Sequence, residues 1–427
     1  MHKLTTLPNG LRIITAPIEG AKTTAVLVVF STGSKHEQIK NKGISHFVEH
    51  MMFKGTTKRP EAFSVTSDMD SMGADYNAFT SKEYTGYWIH SASQNTEFSI
   101  ELLSDMLLHS KFESEEINRE KGVIIEELNM YLDDPKIYID ELFENLLYGN
   151  CPAGWDVIGT KQTIKSFVKK DFLDYFQSQY VTKNCFVVVA GQVPKNIQQL
   201  VSKYFKDLPT TKGKEKIAVV EKQTAPQVKV QNKKTDQAHL LLGVRAVPMG
   251  HKDEYITKII AIILGGGLSS RLGIEIREKH GLAYYVRTDN EKYSDTGYMA
   301  TRCGVPTSKV EKAIQLILQE YKKITMEPVE EKELERVKKL IVGRSLLNLE
   351  NSANTAQWYG LQAVVLNEQK KPRQIIAPSE FIKTITSITP ADIQRVAKKI
   401  FVNENLNLAI IGPYPDGKAF KKILKLT

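Results

Sequence analysis

Two histidines and a glutamate fall within five consecutive residues, His46-Phe47-Val48-Glu49-His50. If this stretch is helical, His46 and His50 lie four residues apart on one face and can offer two imidazole nitrogens to a single metal ion. Glu49 lies close to that face, where a carboxylate can take a proton from water beside the metal. The alternative is a pair of histidines that only form hydrogen bonds on a half-buried helix. The spacing therefore predicts a hydrolytic metal centre, and such a centre needs a third protein ligand.

The best source of a third ligand is a later helix, which the sequence pattern places at Glu115–Leu132. Its predicted apolar stripe consists of Ile117, Val123, Ile124, Leu128 and Tyr131. Glu120 and Glu127 fall within this stripe, one heptad apart, whereas Glu126 projects the other way. An ionised glutamate on a buried face is costly unless it is paired or bound to a metal. We therefore predict Glu127 as the third ligand and Glu120 as a residue that supports the ligands, with ion pairing at the helix edge as the alternative.

These residues resemble those of a known peptidase family. The order H-x-x-E-H is a zinc-peptidase signature, and together with Glu120 and Glu127 in REKGVIIEEL it resembles the pitrilysin-type (inverzincin) metallopeptidases. The segments HFVEHMMFKGT and NAFTSKEYTGYW are similar to the half-length branch, which includes the mitochondrial processing peptidase β subunit and bacterial processing-peptidase-like proteins. The resemblance implies that His46, His50 and Glu127 bind one zinc ion and that Glu49 is the general base.

The resemblance also implies residues that act on a peptide substrate. Arg277 and Tyr284, in REKHGLAY, match an Arg/Tyr pair of the family. An arginine can hold a carbonyl or carboxylate, and a phenol can stabilise an oxyanion. Without the family, both residues would be typical of ordinary surface and strand positions. By the same resemblance, the strand that contains Asn77, Ala78, Phe79 and Thr80 is the edge strand onto which the substrate adds as a further strand. An ordinary hairpin strand is the alternative.

The elements that must position these residues are repeated along the chain. Residues 171–191, DFLDYFQSQYVTKNCFVVVAG, match residues 392–412, DIQRVAKKIFVNENLNLAIIG, without a gap. The helix pair within 98–132 has a counterpart within 310–349. Internal repeats define the architecture of a chain. We predict an α+β fold with two homologous domains, each a largely antiparallel sheet with helices packed on one face.

The domain boundaries follow from this repeat. We predict a zinc-binding domain at 1–211, a linker at 212–226 and a homologous domain without metal at 227–427, which carries Arg277 and Tyr284. At 427 residues the chain is too long for one ordinary core and suits two domains of about 200 residues each.

The second copy lacks the residues for metal chemistry. Its sequence AIILGGGLSSR stands where the H-x-x-E-H motif would recur, and it contains no histidine. Aligning the two helix pairs places Val337 and Arg344 where Glu120 and Glu127 stand in the first copy. The run Gly265-Gly266-Gly267 at the start of a predicted helix lacks the spacing of a phosphate-binding loop, and we interpret it as a flexible turn. One zinc ion per chain follows.

Composition excludes several other classes of function. The net charge is +9, but no stretch combines clustered Lys and Arg with aromatic residues, so we expect no nucleic-acid partner. The longest apolar runs have strand length, so no membrane segment is expected. The start of the sequence has neither an apolar signal core nor an amphipathic leader, which predicts a cytoplasmic location. The cysteines are scattered and are expected to be reduced thiols: Cys151, Cys185 and Cys303.

The combined prediction is a zinc-dependent endopeptidase that hydrolyses peptides or unfolded segments. Full-length relatives place two such halves face to face, so the resemblance implies a homodimer in which Arg277 and Tyr284 reach the partner's zinc. One alternative is a non-catalytic structural subunit of the same fold, which the intact ligand positions disfavour. Another is one half of a heterodimeric processing peptidase, which the presence of both H-x-x-E-H and the Arg/Tyr pair in one chain disfavours.

Overall fold

Eleven strands in two sheets form the framework of the described chain. The computed structural model describes residues 2–369 and 374–426. The strands are β1 (Lys3–Thr6), β2 (Arg12–Pro17), β3 (Thr23–Phe30), β4 (Asp75–Thr80), β5 (Thr85–Ala92), β6 (Cys185–Gly191), β7 (Gln227–Asn232), β8 (Gln237–Ala246), β9 (Val286–Lys292), β10 (Gly297–Pro306) and β11 (Leu406–Gly412).

The described residues also form fifteen α-helices. They are α1 (Ile44–Met51), α2 (Ala62–Ser71), α3 (Thr96–His109), α4 (Ser114–Asp133), α5 (Pro135–Tyr148), α6 (Lys161–Ser166), α7 (Lys169–Gln179), α8 (Ile197–Tyr204), α9 (Glu254–Gly265), α10 (Val310–Met326), α11 (Glu331–Leu349), α12 (Ser352–Glu368), α13 (Pro378–Ser387), α14 (Pro390–Ile400) and α15 (Lys418–Ile423). A π-helical turn at Gly273–Lys279 follows α9.

The first compact unit contains the six-stranded sheet, in the order β1-β2-β6-β3-β5-β4. Its residues are Met1–Asn129, Trp155–Ile217 and Ser345–Ala377. All neighbouring strands are antiparallel except β2 and β6. Strand β4, which the family resemblance predicted to be the edge strand for substrate, is the outermost strand on one side. One of its edges is therefore unpaired within the sheet.

Helices cover both faces of the central strand β3. Leu27 and Val29 of β3 meet Gly360 of α12, where the absence of a side chain lets the helix approach. The alternate residues Val26 and Val28 are also fully buried, and α3 packs against β3 and β5. The prediction placed helices on one face. The second layer comes from α12, a helix from the other sequence copy.

The second compact unit contains the five-stranded sheet, in the order β7-β11-β8-β10-β9. Its residues are Met130–Gly154, Ala218–Arg344 and Pro378–Thr427. Only β7 and β11 are parallel. Helix α9 packs against β9, while α5, from the first sequence copy, packs against β7, β8 and β11. The buried core under α5 includes Ile139, Leu142, Phe143, Leu241, Tyr298 and Ala409.

The predicted repeat appears at the level of individual residues. Helices α7 and α14 begin 221 residues apart (390 − 169), and strands β6 and β11 also begin 221 residues apart (406 − 185). The α+β class with two homologous, largely antiparallel domains is therefore confirmed. The boundaries 1–211, 212–226 and 227–427 describe the sequence copies and stay a prediction. The compact units differ from these copies, because α5 lies in the second unit and α12 in the first.

In the described part of the chain, no helix combines the length and the apolar character needed to cross a bilayer. The cytoplasmic location stays a prediction.

Two glycines of the first unit, one before α1 and one after α2, have positive φ angles but differ in the space around them. Gly43 precedes α1 with φ of +90°, and a Cβ there would lie 2.2 Å from the carbonyl oxygen of Ile158. Gly73 follows α2 with φ of +58°, a conformation typical of a glycine that ends a helix, and has open space around it. We expect Gly73→Ala to lower the free energy of unfolding by about 1 kcal/mol and Gly43→Ala by about 2 kcal/mol or more, because only Gly43 adds a steric clash to the left-handed strain.

Urea unfolding followed by tryptophan fluorescence measures this difference. All three tryptophans, Trp88, Trp155 and Trp358, lie in the first unit, so the signal reports on the unit that contains both glycines. Equal losses in the two variants would contradict the steric argument.

Candidate metal centre

Helix α1 is held at its N-terminal end by a buried carboxylate. Glu37 accepts hydrogen bonds from the backbone N–H groups of Gly43 and Ser45, both at 2.8 Å. These are donors that a helix start leaves without an intrahelical partner. Burial raises the pKa of Glu37 to about 7, although the bonds from Ser45 and Gly43 oppose this shift. Glu37 was not among the predicted site residues, because a carboxylate six residues before the bonded Gly43 is not recognisable as a helix cap from sequence alone.

The side chains of α1 divide between a core face and an open face. Phe47, Val48 and Met51 are buried, and the Phe47 ring packs edge-on against Phe172 at 4.8 Å between centroids. Burial of this apolar face fixes the rotation of the helix about its axis. The remaining face carries His46, Glu49 and His50, so the predicted helix presents the predicted residues together.

Helix α4 brings Glu127 to the two histidines. Its Oε2 atom lies 3.7 Å from His46 Nε2 and 3.4 Å from His50 Nε2. The three ligand atoms all lie within 4.8 Å of one another, and the described residues contain no second group of His, Cys, Asp or Glu that meets this criterion. Ligand atoms about 2.1 Å from a tetrahedral zinc ion are about 3.4 Å apart. The two nitrogens and one carboxylate oxygen therefore fit zinc and leave a fourth position open.

Glu120 orients one of the histidines. Its Oε1 atom is 2.9 Å from His50 Nδ1, and its Oε2 atom is 2.7 Å from Lys54 Nζ. Burial opposes ionisation of Glu120, but the bonds with His50 and Lys54 lower its pKa overall. Because Nδ1 of His50 is held by Glu120, Nε2 is the nitrogen that faces Glu127. This is the arrangement of a metal-binding histidine whose second nitrogen is held by a carboxylate.

The two histidines differ in their protonation in the metal-free chain. Burial and the nearby His50 lower the pKa of His46 to about 4, so His46 is neutral at pH 7. Burial also opposes protonation of His50, but hydrogen bonds with Glu120 and Glu127 raise its pKa to about 9. The buried Nδ1 atom of His46 has no hydrogen-bond partner in the described residues. A metal ion that binds here competes with a proton at His50 but not at His46.

Glu49 lies near His50 and Glu127 but is not one of the three residues whose ligand atoms converge. Its Oε2 atom accepts a hydrogen bond from the hydroxyl of Thr80 at 2.5 Å. Burial raises the pKa of Glu49, although the Thr80 bond opposes the shift. The bond fixes the carboxylate relative to β4, the strand that the sequence predicted for substrate binding. The contact between Thr80 and Glu49 is a feature that the sequence pattern did not show.

Strand β4 carries the four residues predicted to bind substrate. It pairs only with β5, so its outer edge is unpaired in the sheet. The side-chain oxygen of Asn77 accepts a hydrogen bond from the backbone N–H of Ala78 at 2.8 Å. The ring of Phe79 packs over Gly86 of β5 and against Tyr84. The fold thus places the predicted strand at an edge and joins it to Glu49 through Thr80.

Buried charges hold the turn between β4 and β5. Lys35 Nζ lies 2.8 Å from Glu83 Oε1, and Lys216 contacts the same carboxylate. Burial opposes ionisation of Glu83, but the two lysines lower its pKa to about 2. Lys82 donates to the carbonyl oxygen of Trp155. The segment NAFTSKEYTGYW supported the family resemblance, but no role was predicted for its adjacent residues Lys82 and Glu83.

The predicted apolar stripe of α4 contains one error. Ile117, Ile124 and Leu128 are buried, but Val123 is 51% exposed. Only one side of the helix contacts the core, and Val123 lies beyond its margin. Glu126 is exposed, as predicted. The error leaves the assignment of Glu120 and Glu127 unchanged.

Arg277 and Tyr284 lie together in the second unit. The Arg277 guanidinium carbon is 5.7 Å from the centroid of the Tyr284 ring, and Tyr284 is 84% exposed. Both residues line a cleft of about 790 Å³. The Gly265-Gly266-Gly267 run lines the same cleft. It lies at the C-terminal end of α9, contrary to the prediction that it opens a helix, so it lacks the helix N-terminus that binds phosphate.

Comparison with known proteins places the chain in a family. Residues 12–161 match the family described as Insulinase (Peptidase family M16), and residues 166–341 match the Peptidase M16 inactive domain. The chain is 31% identical to the uncharacterized zinc protease YmxG of Bacillus subtilis, over 97% of this chain and 98% of that protein. The chain belongs to peptidase family M16.

Other relatives of this M16 chain also match over nearly its full length. It is 28% identical to the mitochondrial-processing peptidase subunit beta of Dictyostelium discoideum, over 97% of this chain and 90% of that protein. The crystal structure of a protease from Helicobacter pylori superposes with a TM-score of 0.88 at 25% identity, covering 97% of this chain and 99% of that chain. These matches confirm the resemblance to the half-length branch and support a peptidase role.

Metal affinity should separate the glutamates of α4. Glu127→Gln should weaken zinc binding by orders of magnitude, because a neutral amide is a poor replacement for a charged ligand. Glu120→Gln should weaken it by about 10- to 100-fold through the loss of the bond that orients His50. The matched control Glu126→Gln should leave zinc affinity unchanged. Competition with a chromophoric chelator measures all three, and a larger effect at Glu126 than at Glu127 would refute the ligand assignment.

Proposed function

We propose that this M16 chain is a zinc-dependent endopeptidase that hydrolyses peptides or unfolded segments. His46, His50 and Glu127 would hold one zinc ion. The observation that carries the proposal is the convergence of these three ligand atoms within 4.8 Å, with the carboxylate of Glu49 beside them. The names of the relatives support the same reaction class.

Glu49 would act as the general base and then as the general acid. Zinc bound at the three ligands would polarise the scissile carbonyl and lower the pKa of water. Glu49 takes the proton from the attacking water and returns it to the nitrogen of the leaving amine. Thr80 holds Glu49 through the 2.5 Å hydrogen bond, which keeps the carboxylate near the reacting atoms. Burial raises the pKa of Glu49, and a more basic carboxylate accepts a proton more readily.

The peptide would bind along the outer edge of β4. An extended segment can add to an unpaired sheet edge through main-chain hydrogen bonds, which makes binding tolerant of sequence. Such a segment would run past Asn77, Ala78 and Phe79 toward Thr80, whose hydroxyl bonds Glu49. Unfolded segments fit this mode, because a folded protein does not present a free extended strand.

We further propose that two copies of the chain combine in the active enzyme. Arg277 and Tyr284 lie in the unit without zinc ligands, and they would bind substrate or stabilise the oxyanion at the zinc site of a partner copy. The alternative is a heterodimer with a different subunit, which the similarity to a protein named as a subunit favours. The intact zinc ligands and the Arg/Tyr pair within this one chain favour the homodimer.

The role of Glu49 can be separated from that of the ligands. Glu49→Gln should abolish peptide hydrolysis and leave about one zinc ion per chain, because the residue moves a proton and does not bind metal. Peptide cleavage and metal content are measured on the same preparation. Loss of zinc in Glu49→Gln would mean that the residue is a ligand.

Mixing two inactive variants tests the homodimer. Arg277→Ala and Glu49→Gln chains should each be inactive alone, and after exchange they should recover activity. One site of the mixed dimer then combines an intact zinc centre with an intact Arg/Tyr pair, whereas the other carries both defects. Activity per mixed dimer should therefore reach at most about half of the wild-type value. If each site is completed within one chain, no activity returns, and active monomers in sedimentation would exclude the dimer directly.

A further inference from the structure

The cleft in the second unit carries an excess of positive charge. It lies between α9 and β9, the outermost strand of the five-stranded sheet. Its lining includes one carboxylate, Asp289, and six cationic side chains: Lys258, Arg277, Arg287, Lys292, Arg302 and Arg344. A cleft with one sign of charge concentrates ions of the opposite sign.

Some of these cations are already neutralised within the unit. Arg287 lies 2.7 Å from Asp289. Arg302 forms two hydrogen bonds with Asp140 at 2.9 Å, and Lys292 lies 2.8 Å from Glu254. Arg277 lies 3.6 Å from Glu278. These pairs reduce the charge that can act on a ligand. The cations that remain decide what the cleft can bind.

Lys258 is a half-buried cation without such a carboxylate. Its ammonium group lies 5.0 Å from the centroid of the Phe381 ring. Among the described residues, no carboxylate lies within ion-pair distance of it. Burial, together with the charge of Lys292, lowers its pKa to about 8, although the more distant carboxylate of Glu254 opposes the shift. An anion that entered the cleft would restore the solvation that this ammonium group has lost.

Arg344 is the second cation of the cleft for which the described residues provide no carboxylate partner. Its Nη1 atom donates to the carbonyl oxygen of Gly266 at 3.1 Å, which holds the guanidinium against the glycine run. Nη2 lies 3.9 Å from the position that a Cβ atom would occupy if residue 267 were not a glycine. The guanidinium therefore retains donors for a ligand that approaches the glycines closely.

The internal repeat relates Arg344 to a predicted zinc ligand of the first copy. Arg344 stands 217 residues after Glu127 (344 − 127), and the helices α4 and α11 that carry them are counterparts in the repeat. In the first unit, this position supplies a carboxylate to a site for a cation. In the second unit, it supplies a guanidinium beside a cleft whose lining is cationic. The same scaffold position thus has opposite charge in the two copies.

We propose that Lys258 and Arg344, at two places in this cleft, make it prefer peptide substrates that carry a carboxylate. The carboxylate belongs to an acidic side chain or to the free C-terminus of a segment that lies along β9. The inference rests on the proposed peptidase function and names its substrate class: peptides that carry a negative charge. Arginine and lysine recognise a carboxylate through charge-assisted hydrogen bonds.

Binding of labelled peptides tests this proposal without peptide cleavage. The protein is the full chain with Glu49→Gln, and the readout is fluorescence anisotropy of a peptide with one Glu and of its twin with Gln. The Glu peptide should bind about tenfold more tightly, as expected for one charge-assisted contact. A second pair, with a free or an amidated C-terminus, distinguishes the terminal carboxylate from the side chain.

Further substitutions in the Glu49→Gln chain then locate the preference for the Glu peptide over the Gln peptide. Lys258→Gln or Arg344→Gln should remove most of this preference, and Arg344→Lys should retain it. Arg344→Glu should instead favour a peptide with Lys. The control is Lys339→Gln, an exposed cation on α11 that does not line the cleft.

Equal binding of the Glu and Gln peptides, together with equal binding of the acid and amide forms, would overturn the proposal. An equal loss with Lys339→Gln would also do so, because it would show a diffuse effect of net charge. Failure of the wild-type chain to cleave peptides would instead contradict the proposed function, and the binding result would still stand.

Discussion

Helices α1 and α4 depend on one carboxylate that lies between them. Glu120 bonds His50 on one side and Lys54 on the other, so one residue of α1 and one residue just after it are tied to a single residue of α4. The bond fixes which nitrogen of His50 faces Glu127. Without it, the ring could rotate and the three ligand atoms would no longer converge. The geometry of the candidate site therefore depends on a residue outside the group formed by His46, His50 and Glu127.

Buried charges recur around this centre, and each is compensated locally. Glu37 bonds the backbone at the start of α1, and Glu83 is paired with Lys35 and Lys216 at the β4–β5 turn. A buried charge without a partner destabilises a fold by several kcal/mol, of roughly the size of a domain's net stability. These contacts help to fix the positions of α1 and of the β4–β5 turn, because a shift would leave a buried polar or charged group without its partner. Rigid support of this kind keeps Glu49 and Thr80 together.

The two copies show how one framework supports different chemistry. Strands β6 and β11 and helices α7 and α14 coincide residue by residue in the repeat. The divergence lies in the side chains at the edge of each sheet. The first copy carries histidines and Glu127 beside β4, and the second carries glycines and Arg344 beside β9. Backbone geometry is preserved because core packing requires it, whereas exposed positions can change charge without loss of the fold.

The sequence by itself determined the architecture and predicted the residues of the candidate site. Local spacing identified His46, Glu49 and His50, because a helix has a fixed period, and that same period placed Glu127 on the inner face of α4 and Glu126 on the outer face. The repeat revealed two homologous domains. The tertiary structure alone decided which distant groups meet: the bond from Thr80 to Glu49, the cap from Glu37, the exposure of Val123, and the placement of α5 and α12 in the units of the opposite sequence copy. Period and composition describe one element at a time, whereas these contacts depend on how elements far apart in the chain pack against one another.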